Sequence, residues 1–127
     1  MRVISFRRKA HVRLPNFMAS AEQIAKAPND EERDAMIQFN CAQRAHYNYL
    51  ENHPSNLVLM LIGGLGYPRA TAATSAFWLV NRFLFMIGYT DIKKKNGNGR
   101  YLGGLHFVGY AGLLGIAGKV AWDVIMS

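Results

Sequence analysis

Two stretches of this sequence are long and apolar enough to cross a lipid bilayer, and they restrict the chain to helical membrane architectures. Pro68–Tyr89 runs for roughly 22 residues, matching the ~20 that a helix needs to span the hydrocarbon core. Its one interior charge is Arg82. At helical spacing Trp78, Arg82, Phe85 and Tyr89 share a face, which places Arg82 in the bundle interior to meet a carboxylate. The alternative is an aromatic core stripe with a snorkelling arginine. The second stretch, Tyr101–Met126, repeats glycine at Gly109, Gly112, Gly115 and Gly118, and Ala111 with Gly115 makes a small-xxx-small pair. In a soluble helix each glycine would cost roughly 0.8–1 kcal/mol relative to alanine. In a membrane such residues let helices approach closely. Lys119 and Asp123, at i,i+4, partly neutralise each other.

A third helix is organised differently. Phe39–Pro54 reads FNCAQRAHYNYLENHP and places Arg44, Asn48 and Glu51 at i, i+4 and i+7, on one helix face. The apolar run Leu57–Tyr67 follows directly. One reading is a solvated face with a buried segment behind it. The sharper one is a polar binding face set into a membrane helix. Asn29 with Glu32 fits a capping box, and Asp30, Glu31 and Glu32 suit a first turn, so the helix starts near Asp30. Pro54 is expected to kink it. Gly63-Gly64-Leu65-Gly66-Tyr67-Pro68 ends it; without a preceding strand or a following Lys-Ser/Thr this is a turn, not a phosphate loop.

The chain of 127 residues then reads as one all-α domain, an integral membrane helical bundle. Residues 1–28 form a basic and polar cytosolic segment, and 29–66, 68–89 and 101–126 form three membrane helices. In the first segment Ser20 with Gln23 fits a capping box, so 21–27 forms a short helix. Met1–Arg13 is a solvated basic tail or a juxtamembrane segment beside acidic lipid.

The formal net charge of +7 is split around the spans, with Arg2, Arg7, Arg8, Lys9 and Arg13 before them and Lys93–Arg100 between the last two. Two spans separate these basic stretches, so they lie on one side, which the positive-inside rule makes cytosolic. This distribution, with no nucleic-acid motif, argues against a nucleic-acid binder, and apolar spans on both sides argue against a nuclear signal at Lys93-Lys94-Lys95. The one cysteine, Cys41, excludes an intramolecular disulfide and a cysteine zinc cluster. His11, His46, His53 and His106 are scattered, so no metal site is expected.

FNCAQRAHYNYLE, NRFLFMIGY and GRYLGG together resemble the MAPEG superfamily of membrane glutathione transferases, nearest the microsomal glutathione transferase type 3 group. The likeness runs from about Arg7 to Gly118. It implies a four-helix protomer, a homotrimer, and glutathione held between subunits near the cytosolic face. By matching positions, Arg44, Asn48, Glu51 and Tyr89 bind glutathione from one subunit. His46 and Arg7 reach the neighbour's ligand; His46 lies about 200° from Arg44 around the helix by the 100° step. Arg100 matches the arginine that activates the thiol, and Arg8 one on the acceptor's side. The acceptor is a lipophilic electrophile or a lipid hydroperoxide. The endoplasmic reticulum is the expected membrane, with the mitochondrial outer membrane second. A non-catalytic, lipid-binding member of the superfamily is the alternative.

Three departures qualify the match. Phe85 stands where the motif usually has tyrosine, which removes one ligand hydroxyl. Asn52 stands where the leukotriene-conjugating branch has tyrosine. The chain begins about where the family's first membrane helix would end, so it is expected to lack that helix and to assemble poorly as a trimer.

The chemistry suits the ligand. Arginine forks suit the carboxylates of glutathione. A glutamate suits its ammonium and an asparagine its backbone amides. The reacting species must be the thiolate, which a guanidinium stabilises. Arg100 is expected at the end of a flexible loop and at the start of the last helix, whose dipole would add to the effect.

Overall fold

The fold is described from a computed structural model that covers residues 2–91 and 93–127; the side chains of Arg2, Lys95 and Asn96 lie outside the described residues. The helices in chain order are α1 (Arg2–Lys9), α2 (Ala21–Ala25), α3 (Asp30–Gly66), α4 (Pro68–Tyr89) and α5 (His106–Met126). A 3-10 segment, Lys95–Gly103, lies between α4 and α5. No strand occurs among the described residues.

The caps set the boundaries as the sequence implies. Ser20 and Gln23 form the reciprocal capping box of α2, although that helix stops at Ala25, short of the expected Ala27. Asn29 accepts from the Glu32 backbone N–H at 2.7 Å and starts α3. Pro54 lies inside α3, which continues past it to Gly66 as expected. Around it the Asn52 amide donates to the Asn48 carbonyl at 2.7 Å, and Ser55 and Asn56 donate to the Asn52 carbonyl.

Helices α3, α4 and α5 run up, down and up. Gly63 of α3 packs against Thr71 of α4 and Ile116 of α5, and Gly66 against Val120. At that end the Tyr67 hydroxyl donates to Asp123 at 2.6 Å, and Asp123 also accepts from Lys119, the pair expected on α5. Gly109 and Gly112 let α5 approach Trp78 and Thr74 of α4, whereas nothing lies within 4 Å of a Cβ built on Gly115 or Gly118. Among the described residues, only half of the glycine stripe is therefore used in packing within the bundle.

Two helices among the described residues, α4 and α5, are long and apolar enough to cross a membrane. Helix α3 has 37 residues, but only its second half is apolar, because Arg44, Glu51 and His53 occupy the middle. The last helix begins at His106, not at 101 as its apolar run suggests. Gly97, Gly99, Gly103 and Gly104 weaken an α-helical start, and the chain instead takes a 3-10 path pressed onto α4.

The basic N-terminal segment is more than a tail. α1 ends at Lys9, and the turn that follows passes through His11, which takes the left-handed φ of 52°. Ala10, Val12, Ala19 and Phe39 form a small core with Val3, Phe6, Ile24, Ala35 and Met36 packed against it. Asn40 exchanges two 2.9 Å hydrogen bonds with the Ala19 backbone. Apolar residues interleaved with the arginines thus dock the segment on the first turns of α3.

Candidate functional site

An open cavity of about 430 Å³ lies where α3, the end of α4 and the 3-10 segment meet. Its lining includes Arg44, Asn48 and Glu51 of α3, Phe85 and Tyr89 of α4, and Arg100. That volume falls within the ~300–1,000 Å³ of small-molecule sites. Five residues chosen from the sequence for ligand binding or thiol activation therefore converge on one cavity. Tyr47 and Phe107 complete the wall and were not anticipated. Helix periodicity alone brings Arg44, Asn48 and Glu51 together. Among the described residues neither Arg44 nor Glu51 has an ion-pair partner. The cavity thus offers two cations and one anion without an ion-pair partner among the described residues.

Arg100 owes its place to backbone contact, not to the helix dipole expected for it. It lies in the 3-10 segment, ahead of α5. The segment rests directly on α4: a Cβ on Gly99 would lie 1.9 Å from the Gly88 carbonyl oxygen. A Cβ on Gly103 would lie 2.2 Å from Asn81 O and from Phe85 N. Gly97, with φ of 69°, abuts the Tyr89 ring. The stretch read as a flexible loop is therefore moulded onto α4. The Arg100 guanidinium donates to the Tyr101 hydroxyl at 3.3 Å and lies over the rings of Tyr101 and Tyr89 at 5.1 and 5.9 Å. Hydrogen bonding to Tyr101, then to Tyr89, pushes its pKa above the ordinary arginine value, so it stays charged.

Arg82 is 4% exposed and meets no carboxylate among the described residues. Its Nη1 donates to Asn48 Oδ1 at 2.7 Å and lies 3.2 Å from His106 Nε2. His106 Nδ1 lies 2.7 Å from the Gly103 carbonyl oxygen. Phe85, Tyr49 and Trp78 present their rings to the guanidinium at 4.9, 5.7 and 6.0 Å. Neutral acceptors and aromatic faces take the place of the expected counter-charge. The sequence placed Trp78 and Phe85 on the face of Arg82 but could not supply Asn48, Tyr49 and His106, which come from α3 and α5. The nearest signal was Gly103 and His106 at i,i+3.

The remaining predicted residues stand apart. His46 lines a separate, mainly apolar cavity of about 320 Å³ with Tyr49, Leu79, Phe83 and Met86. Arg7 lies outside both cavities. Its Nη1 donates to the carbonyls of Val12 and Asn16 at 3.4 and 2.6 Å, its Nη2 to that of Phe17 at 3.5 Å, and it stacks on Phe39 at 4.7 Å. It closes the N-terminal fold. Arg8 is exposed beside it. Among the described residues no group of three or more His, Cys, Asp or Glu could hold a metal ion.

No solved structure matches the chain. A family model does, over residues 1–122, and its description is MAPEG family. The match takes in the N-terminal fold, α3, α4, the 3-10 segment and most of α5, and therefore every residue of the cavity. That family includes glutathione transferases and also non-catalytic members. On this match, and on an all-α bundle with two helices long enough to span a bilayer, the chain belongs to the MAPEG family.

Proposed function

We propose that the chain is a membrane-bound glutathione transferase, nearest the microsomal type 3 group, with peroxidase capacity. The observation that carries this reading is the convergence of Arg44, Asn48, Glu51, Tyr89 and Arg100 on one cavity whose charges lack ion-pair partners among the described residues. Glutathione bears two carboxylates, an ammonium, two amides and a thiol. Arg44 pairs with a carboxylate, Glu51 with the ammonium and Asn48 with an amide. Arg100 lines the same cavity, where its fixed charge favours thiolate over thiol.

The bound thiolate attacks an electrophilic carbon of a lipophilic acceptor. A carbon–sulfur bond forms and the leaving group or opened ring takes the electron pair. With a lipid hydroperoxide the sulfur attacks the terminal peroxide oxygen and the O–O bond breaks. The lipid alcohol departs after gaining a proton, and a second glutathione converts the sulfenic product to disulfide and water. Access from the bilayer suits both acceptors. The reading includes a homotrimer in which His46 and Arg7 face a neighbour's ligand with Arg8 on the acceptor side, in the endoplasmic reticulum membrane.

The test is direct. Purified protein in detergent is titrated with glutathione by calorimetry, and thiolate absorbance is followed in the ultraviolet. Binding with thiolate formation at neutral pH, and turnover of a lipophilic electrophile, support the reading. Binding of lipid without any thiolate signal would instead indicate the non-catalytic alternative.

A further inference from the structure

A buried brace crosses the interior of the bundle behind the cavity. It links Asn48 of α3, Arg82 of α4, His106 of α5 and Gly103 at the end of the 3-10 segment. Its proton arrangement follows from chemistry. A guanidinium only donates, so both partners of Arg82 Nη1 must accept. Asn48 therefore turns its carbonyl oxygen to Arg82, and the NH₂ is what it has left for the cavity that it lines. His106 accepts at Nε2, so Nδ1 carries the proton and donates to the Gly103 carbonyl. Gly103 follows Arg100 by three residues and lies in backbone contact with Asn81 and Phe85.

Packing alone does not explain this arrangement. Arg82 is almost fully buried, and its Nε is without a hydrogen-bond partner among the described residues. A buried charge with an unsatisfied donor is weak as a stabiliser, and a well-packed apolar side chain does as well or better. What the charge supplies is direction: one nitrogen fixes the rotamer of a cavity residue and, through an imidazole, the backbone that carries Arg100.

We infer that Arg82 and His106 are positioning residues that set the donor face of Asn48 and the placement of Arg100 relative to it. This rests on the glutathione reading of the cavity for its functional consequence, though the brace itself is testable without ligand. Asn48 serves binding and Arg100 serves the thiol, so the brace holds the two ends of one ligand in register.

The experiment compares wild type with Arg82→Met, Arg82→Lys and His106→Phe in detergent. Without ligand, histidine nitrogen NMR of wild type should show His106 held as the Nδ1–H tautomer, and Arg82→Met should release it. Amide exchange over 99–105 should quicken about tenfold in Arg82→Met and His106→Phe, as local opening becomes easier. With glutathione, Arg82→Met should weaken binding by about 10- to 100-fold, the range for losing a hydrogen bond to a charged group. That loss should largely vanish in an Asn48→Ala background, because the two act through one group. Arg82→Lys, which keeps charge and donors, should recover part of the affinity. His106→Phe should raise the pH at which the bound thiol ionises, and should do so no further once Arg100 is alanine. An unchanged tautomer and exchange rate in Arg82→Met, or fully additive losses with Asn48→Ala, would overturn the inference. Absence of glutathione binding in wild type defeats the reading of the cavity instead, and the ligand-free measurements still decide the brace. Should Arg82→Met not fold, Arg82→Lys and His106→Phe carry the same comparisons.

Discussion

The backbone of Gly99 occupies the space that a side chain on Gly88 would need: a Cβ built on Gly88 would lie 2.0 Å from the Gly99 carbonyl oxygen. This contact, between the last turn of α4 and the segment before α5, fixes the height of Arg100 over the cavity. Gly88→Ala should push the segment away, because backbone cannot yield as a flexible side chain does. Overpacking of this kind costs about 1–3 kcal/mol. Thermal unfolding in detergent should fall accordingly, and thiolate formation should fall with it. Gly115→Ala, where nothing lies within 4 Å in the protomer, should show neither loss as a folded protomer.

Arg44 faces the cavity without an ion-pair partner among the described residues. Arg44→Ala should weaken glutathione binding by about 1.5–3 kcal/mol, the range for a hydrogen bond to a charged group. Its openness to solvent in the protomer argues for the lower half of that range. Glu51→Gln should weaken binding of glutathione but not of an analogue lacking the amino group. Calorimetry measures both, and equal affinities for wild type and Arg44→Ala would remove α3 from the site.

Arg100 should act on the thiol more than on affinity. Its pKa is held above the ordinary value by hydrogen bonding to Tyr101 and then Tyr89, so its own charge does not titrate between pH 6 and 9. A change of rate in that window therefore reports the ligand thiol. In wild type the thiol should ionise below the ~8.5 of a free thiol, and Arg100→Ala should return it towards that value. Turnover at neutral pH should drop far more than binding, and recover in part as pH rises. Arg100→Lys should be intermediate, since the charge remains without the fork. Ultraviolet titration of the bound thiolate decides the matter: coincident curves for wild type and Arg100→Ala would move thiol activation to Tyr89.

Phe85 lines the cavity, packs edge-on against Tyr89 and His106, and lies beneath the Arg82 guanidinium. Phe85→Tyr adds one hydroxyl to that wall. A hydroxyl that reaches the ligand should strengthen glutathione binding by about 0.5–1.5 kcal/mol. Weaker binding with lowered thermal stability would show that the new oxygen is directed into the packed interior, where an unpaired hydroxyl is costly.

Much of the architecture was legible in the sequence because it follows from local rules. Length and apolarity define α4 and α5, caps at Ser20 and Asn29 start α2 and α3, and the 3.6-residue repeat aligns Arg44, Asn48 and Glu51. The resemblance of motifs then matched Tyr89 and Arg100 to the same ligand. Each of these signals lies within one element or one short motif, so sequence spacing is enough to read it.

Tertiary structure decided the rest, and in each case the cause is a contact between distant parts of the chain. Helix periodicity puts Arg82 on the buried face of α4. Only packing of α3 and α5 against it supplies Asn48 and His106, so the expected carboxylate gives way to neutral acceptors. Composition makes 95–104 glycine-rich, which by itself reads as a flexible loop. The same absence of side chains allows the backbone to rest on Gly88, Asn81 and Phe85, and so holds Arg100 in place. The basic N-terminus reads as a tail until Phe39 offers Ala10, Val12 and Ala19 a core to join. Periodicity fixes which face a residue occupies; what that face meets is set by the packing of elements far apart in sequence.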